Sequence, residues 1–344
     1  MKRISFQSRR YPRTSVARRL GSIGLLFAVI AAMLTACDSP ESSKLRLAIN
    51  PWPGYGYFAV AQEQGFLDGE NAVELDIVET ASLKDSLRAF ERGQVDLIGG
   101  TLAELTDINA HGRRDARALL VLNRSLGGDM IVATESIESV GDLAGKRVAL
   151  EAGSANMVVL AAAASVFGLD LDSVNLIALP QGEMPSALRK GKIDAAVTYP
   201  PTSQALLRIE GTHRLFDTRA TPNAVVDVLI AADDVIQNHP KALARLIAGH
   251  DQALTWSRDN PKMALRLLAE HAGQPIEEAT EIHDGIEMLT LQEQHDHWGP
   301  TGPLHRAMSG TADILSRLHD HESPNPERIG DMLDDRFVQK ANAR

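Results

Sequence analysis

The sequence predicts an α/β protein built of two lobes, and three observations lead there. Strand-like and helix-like patterns alternate from Leu45 to Thr198. A short signature at Arg92–Leu97 returns at Lys190–Ala195. Roughly 300 residues follow an export-type leader, more than one hydrophobic core usually serves.

The leader comes first. Lys2, Arg3, Arg9, Arg10, Arg13, Arg18 and Arg19 precede the uncharged, largely apolar stretch from Leu20 to Ala36, the layout of a secretory signal. That stretch ends in Leu34-Thr35-Ala36-Cys37, where two small residues stand before the single cysteine of the chain, and this resembles the bacterial lipoprotein cleavage box. Residues 1–36 are therefore expected to be a lipoprotein signal peptide, with Cys37 acylated and residues 37–43 a polar tether. Cleavage removes seven cations and no acid, so the net charge moves from −10 to −17. So acidic a body argues against nucleic acid and against an electrostatic grip on anionic lipid. With Cys37 acylated, no thiol is left for a disulfide or for catalysis.

Two α/β units follow. In the first, Leu45–Ile49 reads as a strand, Tyr57–Gln64 as a helix stopped by Gly65, Val73–Val78 as a strand, Leu83–Arg92 as a helix and Val95–Ile98 as a strand. In the second, Val148–Leu150, Val174–Ala178 and Ile193–Thr198 read as strands, and Ala155–Phe167, halted at Gly168, and Met184–Lys190 as helices. Each unit closes with a basic residue and a glycine ending a helix, then one polar residue, then a buried strand carrying an aspartate. Two copies mean paired lobes and not a solenoid, which needs at least three. Strands alternating with helices imply largely parallel sheets with ligand groups at strand carboxyl ends, and a cleft where two such sheets face each other. Asn238-His239-Pro240 and Asp259-Asn260-Pro261 open later amphipathic helices that read as scaffold.

Asn50-Pro51-Trp52-Pro53-Gly54-Tyr55, the paired glycine-to-aspartate steps, the stretch Ser139–Arg147 and Leu215-Phe216-Asp217 together resemble the nitrate/sulfonate/taurine (NitT/TauT) family of ABC-transporter substrate-binding proteins, over roughly Lys44 to Trp298. The resemblance implies a type II periplasmic-binding-protein fold, two α/β lobes joined by a two-segment hinge. Lobe 1 is then expected at 44–130 plus 229–335 and lobe 2 at 131–228, with crossings near Met130–Ala133 and Val226–Ile230 that let the lobes close. It further implies a monomer that captures a small polar organic solute and delivers it to an ABC permease and its ATPase, from a lipid anchor on the outer side of the cell membrane. No cofactor is expected.

The residues expected to touch ligand lie after strands. Trp52 and Tyr55 sit on a Pro/Gly-broken loop and offer an exposed flat wall with a polar edge, whereas Tyr57 and Phe58 read as helix packing. Tyr199 ends the last strand of the second unit before Pro200-Pro201 and faces them from the other lobe. Thr101, after Gly99-Gly100, and Ser154 and Asn156, at a helix start after Gly153, bring hydroxyl, amide and backbone N–H groups. Ser154 reads equally as a plain N-cap. Glu104, Asp129 and Asp227 add carboxylates where sulfonate or nitrate would want donors, which leaves a neutral or amine-bearing solute as open as an anion. His295-Asp296-His297 and His319-Asp320-His321 read as polar surface, since imidazoles two apart diverge on a strand or helix, and no metal is expected.

Two other functions fit the same chain. Related folds host a cysteine-dependent deaminase and a thiamine-pyrimidine synthase, but this chain has no cysteine after Cys37 and no G-x-S-x-G, H-E-x-x-H or phosphate loop, so no enzyme is expected. A ligand-sensing subunit for a membrane signalling protein would use the same fold.

Overall fold

A computed structural model describes residues 44–69, 72–111, 114–319 and 326–342. The expected signal peptide, Cys37 and the tether lie outside the described residues, as do Asp320 and His321. In chain order the elements are β1 (Lys44–Ile49), α1 (Tyr57–Glu63), β2 (Glu74–Glu79), α2 (Leu83–Glu91), β3 (Leu97–Thr101), α3 (Leu102–His111), β4 (Ala116–Ser125), β5 (Met130–Thr134), β6 (Arg147–Leu150), α4 (Ala155–Phe167), β7 (Asn175–Ala178), α5 (Met184–Arg189), β8 (Ala195–Thr198), α6 (Thr202–Leu207), β9 (Thr212–Asp217) and β10 (Val226–Ala232). They continue as α7 (Asp233–Asn238), α8 (Pro240–Asp259), α9 (Pro261–His271), α10 (Ile276–His283), β11 (Ile286–Met288), α11 (Pro303–His319), α12 (Pro326–Asp331) and α13 (Arg336–Asn342).

The strands form two sheets, β11-β4-β10-β3-β1-β2 and β7-β6-β8-β5-β9. Neither is largely parallel, as the alternation of elements led one to expect. Only β1 with β2 and β3, and β6 with β7 and β8, run parallel. The other pairings are antiparallel because the chain leaves one sheet and returns: β10, coming back from β9, inserts between β3 and β4, and β5 enters between β8 and β9.

The repeated signature is a clamp. Asp96 accepts from the Arg46 backbone N–H (2.9 Å), from its Nε (3.0 Å) and from its Nη2 (2.7 Å). Asp194 does the same for Arg147 at 2.8, 3.0 and 2.7 Å. In each unit the aspartate thus fastens the last strand to the start of the first. Gly93 (φ 67°) and Gly191 (φ 60°) turn the chain out of the preceding helix through the left-handed region that glycine adopts without strain.

Two passages link the sheets, residues 126–129 and 218–225, and they bond to one another. Thr218 Oγ1 accepts from Gly127 N–H (2.8 Å) and pairs with Ser125 Oγ (2.8 Å), while Thr218 N–H donates to Asp129 O (3.1 Å). Met130–Ala133 and Val226–Ile230 lie in β5 and β10, directly after these passages. The sheet of β1 packs the larger core, with Phe58, Phe90, Leu97 and Leu229 buried, while β5 and β6 carry separate clusters around Val148 and Val197 and around Val132 and Met184. On one flank α11 lays Ile314 and Leu315 against Ala103 of α3 and Val158 of α4. No helix among the described residues is long and apolar enough to cross a membrane.

Candidate functional site

The strand order explains how distant residues meet. Asn50 and Trp52 follow β1, and Thr101 ends its parallel neighbour β3, so all three stand at one edge of the sheet. Because β10 runs antiparallel, its amino end reaches the same edge, where Asp227 lies opposite Thr101 on one side and Asn123 on the other. Tyr199 follows β8 in the other sheet. All of these but Asn123 line one small space between the two sheets, together with Tyr55, Leu83, Asp129, Ala155 and Val225.

The aromatic wall exists, but it is buried and not exposed. The Pro/Gly loop, expected to be irregular, closes into one 3₁₀ turn over Pro53–Tyr55. Trp52 and Tyr55 join the core of the first sheet. Glycines let the rings sink. A Cβ on Gly99 would stand 3.0 Å from the Tyr55 ring, and one on Gly128 would stand 2.7 Å from the Trp52 ring. Trp52 donates through Nε1 to Asn123 Oδ1 (3.2 Å) and meets Tyr199 edge-on at 6.0 Å. Tyr57 and Phe58 pack in α1 beside His250, as helix residues.

The carboxylates carry the polarity. Tyr55 Oη donates to Asp227 Oδ1 at 2.5 Å. Glu104 Oε2 accepts from Thr101 N–H (3.0 Å) and Oγ1 (2.5 Å), and its Oε1 accepts from the Ala155 N–H (3.3 Å) at the start of α4, so it bridges the two halves. Glu104, Asp129 and Asp227 are 1%, 3% and 2% exposed. Burial pushes Asp129 up to about 7, helped by the charge of Glu104 and opposed by a hydrogen bond from Ser125. Burial likewise drives Asp227 well above the usual carboxylate range, against the Tyr55 hydrogen bond and with Asp129 and Glu104 adding repulsion. Glu104 is raised by burial as well.

Ser154 and Asn156 do not line the space. Ser154 caps α4, accepting from the Asn156 N–H (3.3 Å) and donating to Glu151 O (2.7 Å). Asn156 Oδ1 accepts from Gln181 Nε2 (2.8 Å), whose Oε1 takes the Thr198 hydroxyl (2.7 Å), a chain that stiffens the end of β8 behind Tyr199. Asn50, Asn123, Leu83 and Glu151 were not singled out from the sequence as ligand residues. Asn50 and Glu151 were findable as the first residues past two parallel strands, but Asn123 reaches the site only through the antiparallel placement of β10. Arg124 is engaged elsewhere, with Asn223 Oδ1 (2.8 Å) and Glu287. Among the described residues no cluster of three or more His, Cys, Asp or Glu could hold a metal. A larger open groove of about 450 Å³, beside Gly127 and Gly128, is lined by Arg208, Arg214 and Arg219 and by Glu278, Glu281 and Asp284. Its arginines are paired with acids, Arg208 with Glu278 and the other two with Asp217.

Residues 52–264 match the profile of the family described as NMT1/THI5 like. A Brucella abortus protein with a provisional binding-protein name is 26% identical over 269 residues, 74% of this chain and 82% of its own length. The taurine-binding periplasmic protein of Escherichia coli is 24% identical over 265 residues, 74% of this chain and 81% of its own. Among solved structures, the periplasmic aliphatic sulphonate binding protein SsuA of Escherichia coli superposes with a TM-score of 0.68 at 19% identity, covering 84% of this chain and 97% of that one. The desulfurization enzyme DSZB superposes at 0.63 with 16% identity over 88% and 99%. The fold is that of the periplasmic binding proteins.

Proposed function

The chain belongs to the NMT1/THI5-like family, and on that premise we propose that it is the solute-binding protein of an ABC importer, holding one small organic solute between its two sheets and passing it to a permease and its ATPase. The observation that supports this most is the convergence of Trp52, Tyr55, Thr101, Asp129 and Asp227 with Tyr199 from the opposite sheet around one small space. Since these residues are all under 10% exposed, a solute enters only when the two halves part. The two lobes, each a sheet with its helices, open about the two passages that carry Gly127 and Thr218.

The protein works as a monomer, held by acylated Cys37 on the outer side of the cell membrane. It binds without catalysis. The full chain holds no cysteine beyond Cys37, so the thiol that a cysteine-dependent enzyme of a related fold needs is not there. A thermal-shift screen of sulfonates, amines, pyrimidines and carboxylates on the Cys37→Ser chain lacking residues 1–36 tests this. At least one solute should raise the melting temperature progressively with its excess and be recovered unchanged. Conversion of any such solute would remove the binding-only reading.

A further inference from the structure

Resting on the reading of this cleft as a solute site, we propose that its ligand is a small organic cation that donates at least two N–H hydrogen bonds, an ammonium or amidinium group seated between Asp129 and Asp227 against the aromatic wall. The orphan polar atoms on the lining residues are carboxyl and amide oxygens. Asp129 Oδ2, Asp227 Oδ2 and Asn50 Oδ1 are buried and have no hydrogen-bond partner, and all three residues line the space. They are 3%, 2% and 4% exposed. A buried carboxylate oxygen without a donor costs about 1–3 kcal/mol or more, so two of them beside each other define what a ligand must bring.

The donors that an anion would need are committed elsewhere. The Tyr55 hydroxyl already donates to Asp227, the Thr101 hydroxyl to Glu104, and the Tyr199 hydroxyl points at Glu151 Oε2 at 3.5 Å. Among the described residues no lysine or arginine lines the space. Lys84, next in sequence to the lining residue Leu83, exerts its charge on Glu151. The unpartnered amides, Asn123 Nδ2 and Asn156 Nδ2, belong to residues outside the lining.

Trp52, Tyr55 and Tyr199 complete the match, because ring faces attract a desolvated cation. A quaternary ammonium would use the rings but leave the orphan oxygens unpaired, which restricts the class to groups with N–H donors. Charge balances as well. Burial keeps Asp129 protonated up to about pH 7, so a bound ammonium displaces a proton and adds no net charge to a buried, acidic site.

The test uses pairs that share a skeleton and differ in charge: ethanolamine with isethionate, propylamine with propanesulfonate, benzylamine with benzoate, each titrated calorimetrically into the Cys37→Ser chain lacking residues 1–36. The expected result is that at least one amine binds ten-fold or more tighter than its anionic partner, and that Asp129→Asn and Asp227→Asn each weaken it at least ten-fold while both variants keep a cooperative melt. An anion that binds tighter than its amine partner overturns the proposal, as does an amine whose affinity neither variant alters. Absence of binding by any amine, anion or neutral solute of the wider screen counts instead against the solute-binding reading beneath it.

Discussion

Asp129→Asn should make the ligand-free protein more stable, and only above mildly acidic pH. In the unfolded chain an aspartate releases its proton near pH 4, whereas in the fold Asp129 keeps it to about 7, chiefly through burial and then through Glu104. Between those limits the folded state binds one proton more than the unfolded state, so stability falls as pH rises, by about 1.4 kcal/mol per pH unit. The stability is intact below pH 4, declines through the window and reaches its full loss above pH 7. Over roughly three pH units the loss sums to about 4 kcal/mol. Asparagine has nearly the same shape and cannot ionise. Denaturant unfolding of both proteins from pH 4 to 8.5 should therefore give equal stabilities near pH 4 and a gap that opens to about 4 kcal/mol in favour of the variant at pH 8. Asp227 and Glu104 are common to both proteins, so the gap reports Asp129 together with its coupling to them. A pH-independent difference, or a variant less stable at pH 8, would refute the claim that burial disfavours the charged form of Asp129.

Three further outcomes follow from the same contacts. Tyr55→Phe leaves both oxygens of buried Asp227 without a donor and should cost about 1–3 kcal/mol in denaturant unfolding, where an unchanged midpoint would deny the 2.5 Å bond its role. Gly99→Ala drives a methyl against the Tyr55 ring and should cost about 1–3 kcal/mol and weaken ligand binding, both read in one thermal-shift series; a neutral result would mean that the ring yields freely. Asp194→Ala should destabilise more than Arg147→Ala, by about 1 kcal/mol, because the aspartate also takes the backbone N–H at the head of β6 while the partly exposed ion pair adds little; equal losses would show the charge pair to be the whole effect.

Much of this was legible in the sequence where local rules act alone. α4 begins at Ala155 after its Ser154 cap and ends before Gly168, which stands at φ 70°, so both signals lie next to the residues they govern. The repeat was visible as glycine and aspartate, but its cause was not, since Arg46 and Arg147 lie about fifty residues upstream of the aspartates they grip. Strand direction was misjudged for a related reason. Nothing within Val226–Ala232 records that it arrives from another sheet, yet that arrival turns it antiparallel and brings Asp227 to Thr101. Gly99 and Gly100, expected to follow their strand, are part of β3, because the missing Cβ serves the Tyr55 ring and not a turn. The aromatic wall was found, while its burial depends on contacts with Asn123 and Gly128, distant in sequence.

Native mass spectrometry bears most directly on the central claim. The Cys37→Ser chain lacking residues 1–36, incubated with each solute that raises its melting temperature, should carry one solute molecule per chain and release it at its original mass. A complex with no defined stoichiometry, or a solute released with altered mass, would contradict a protein that captures and delivers.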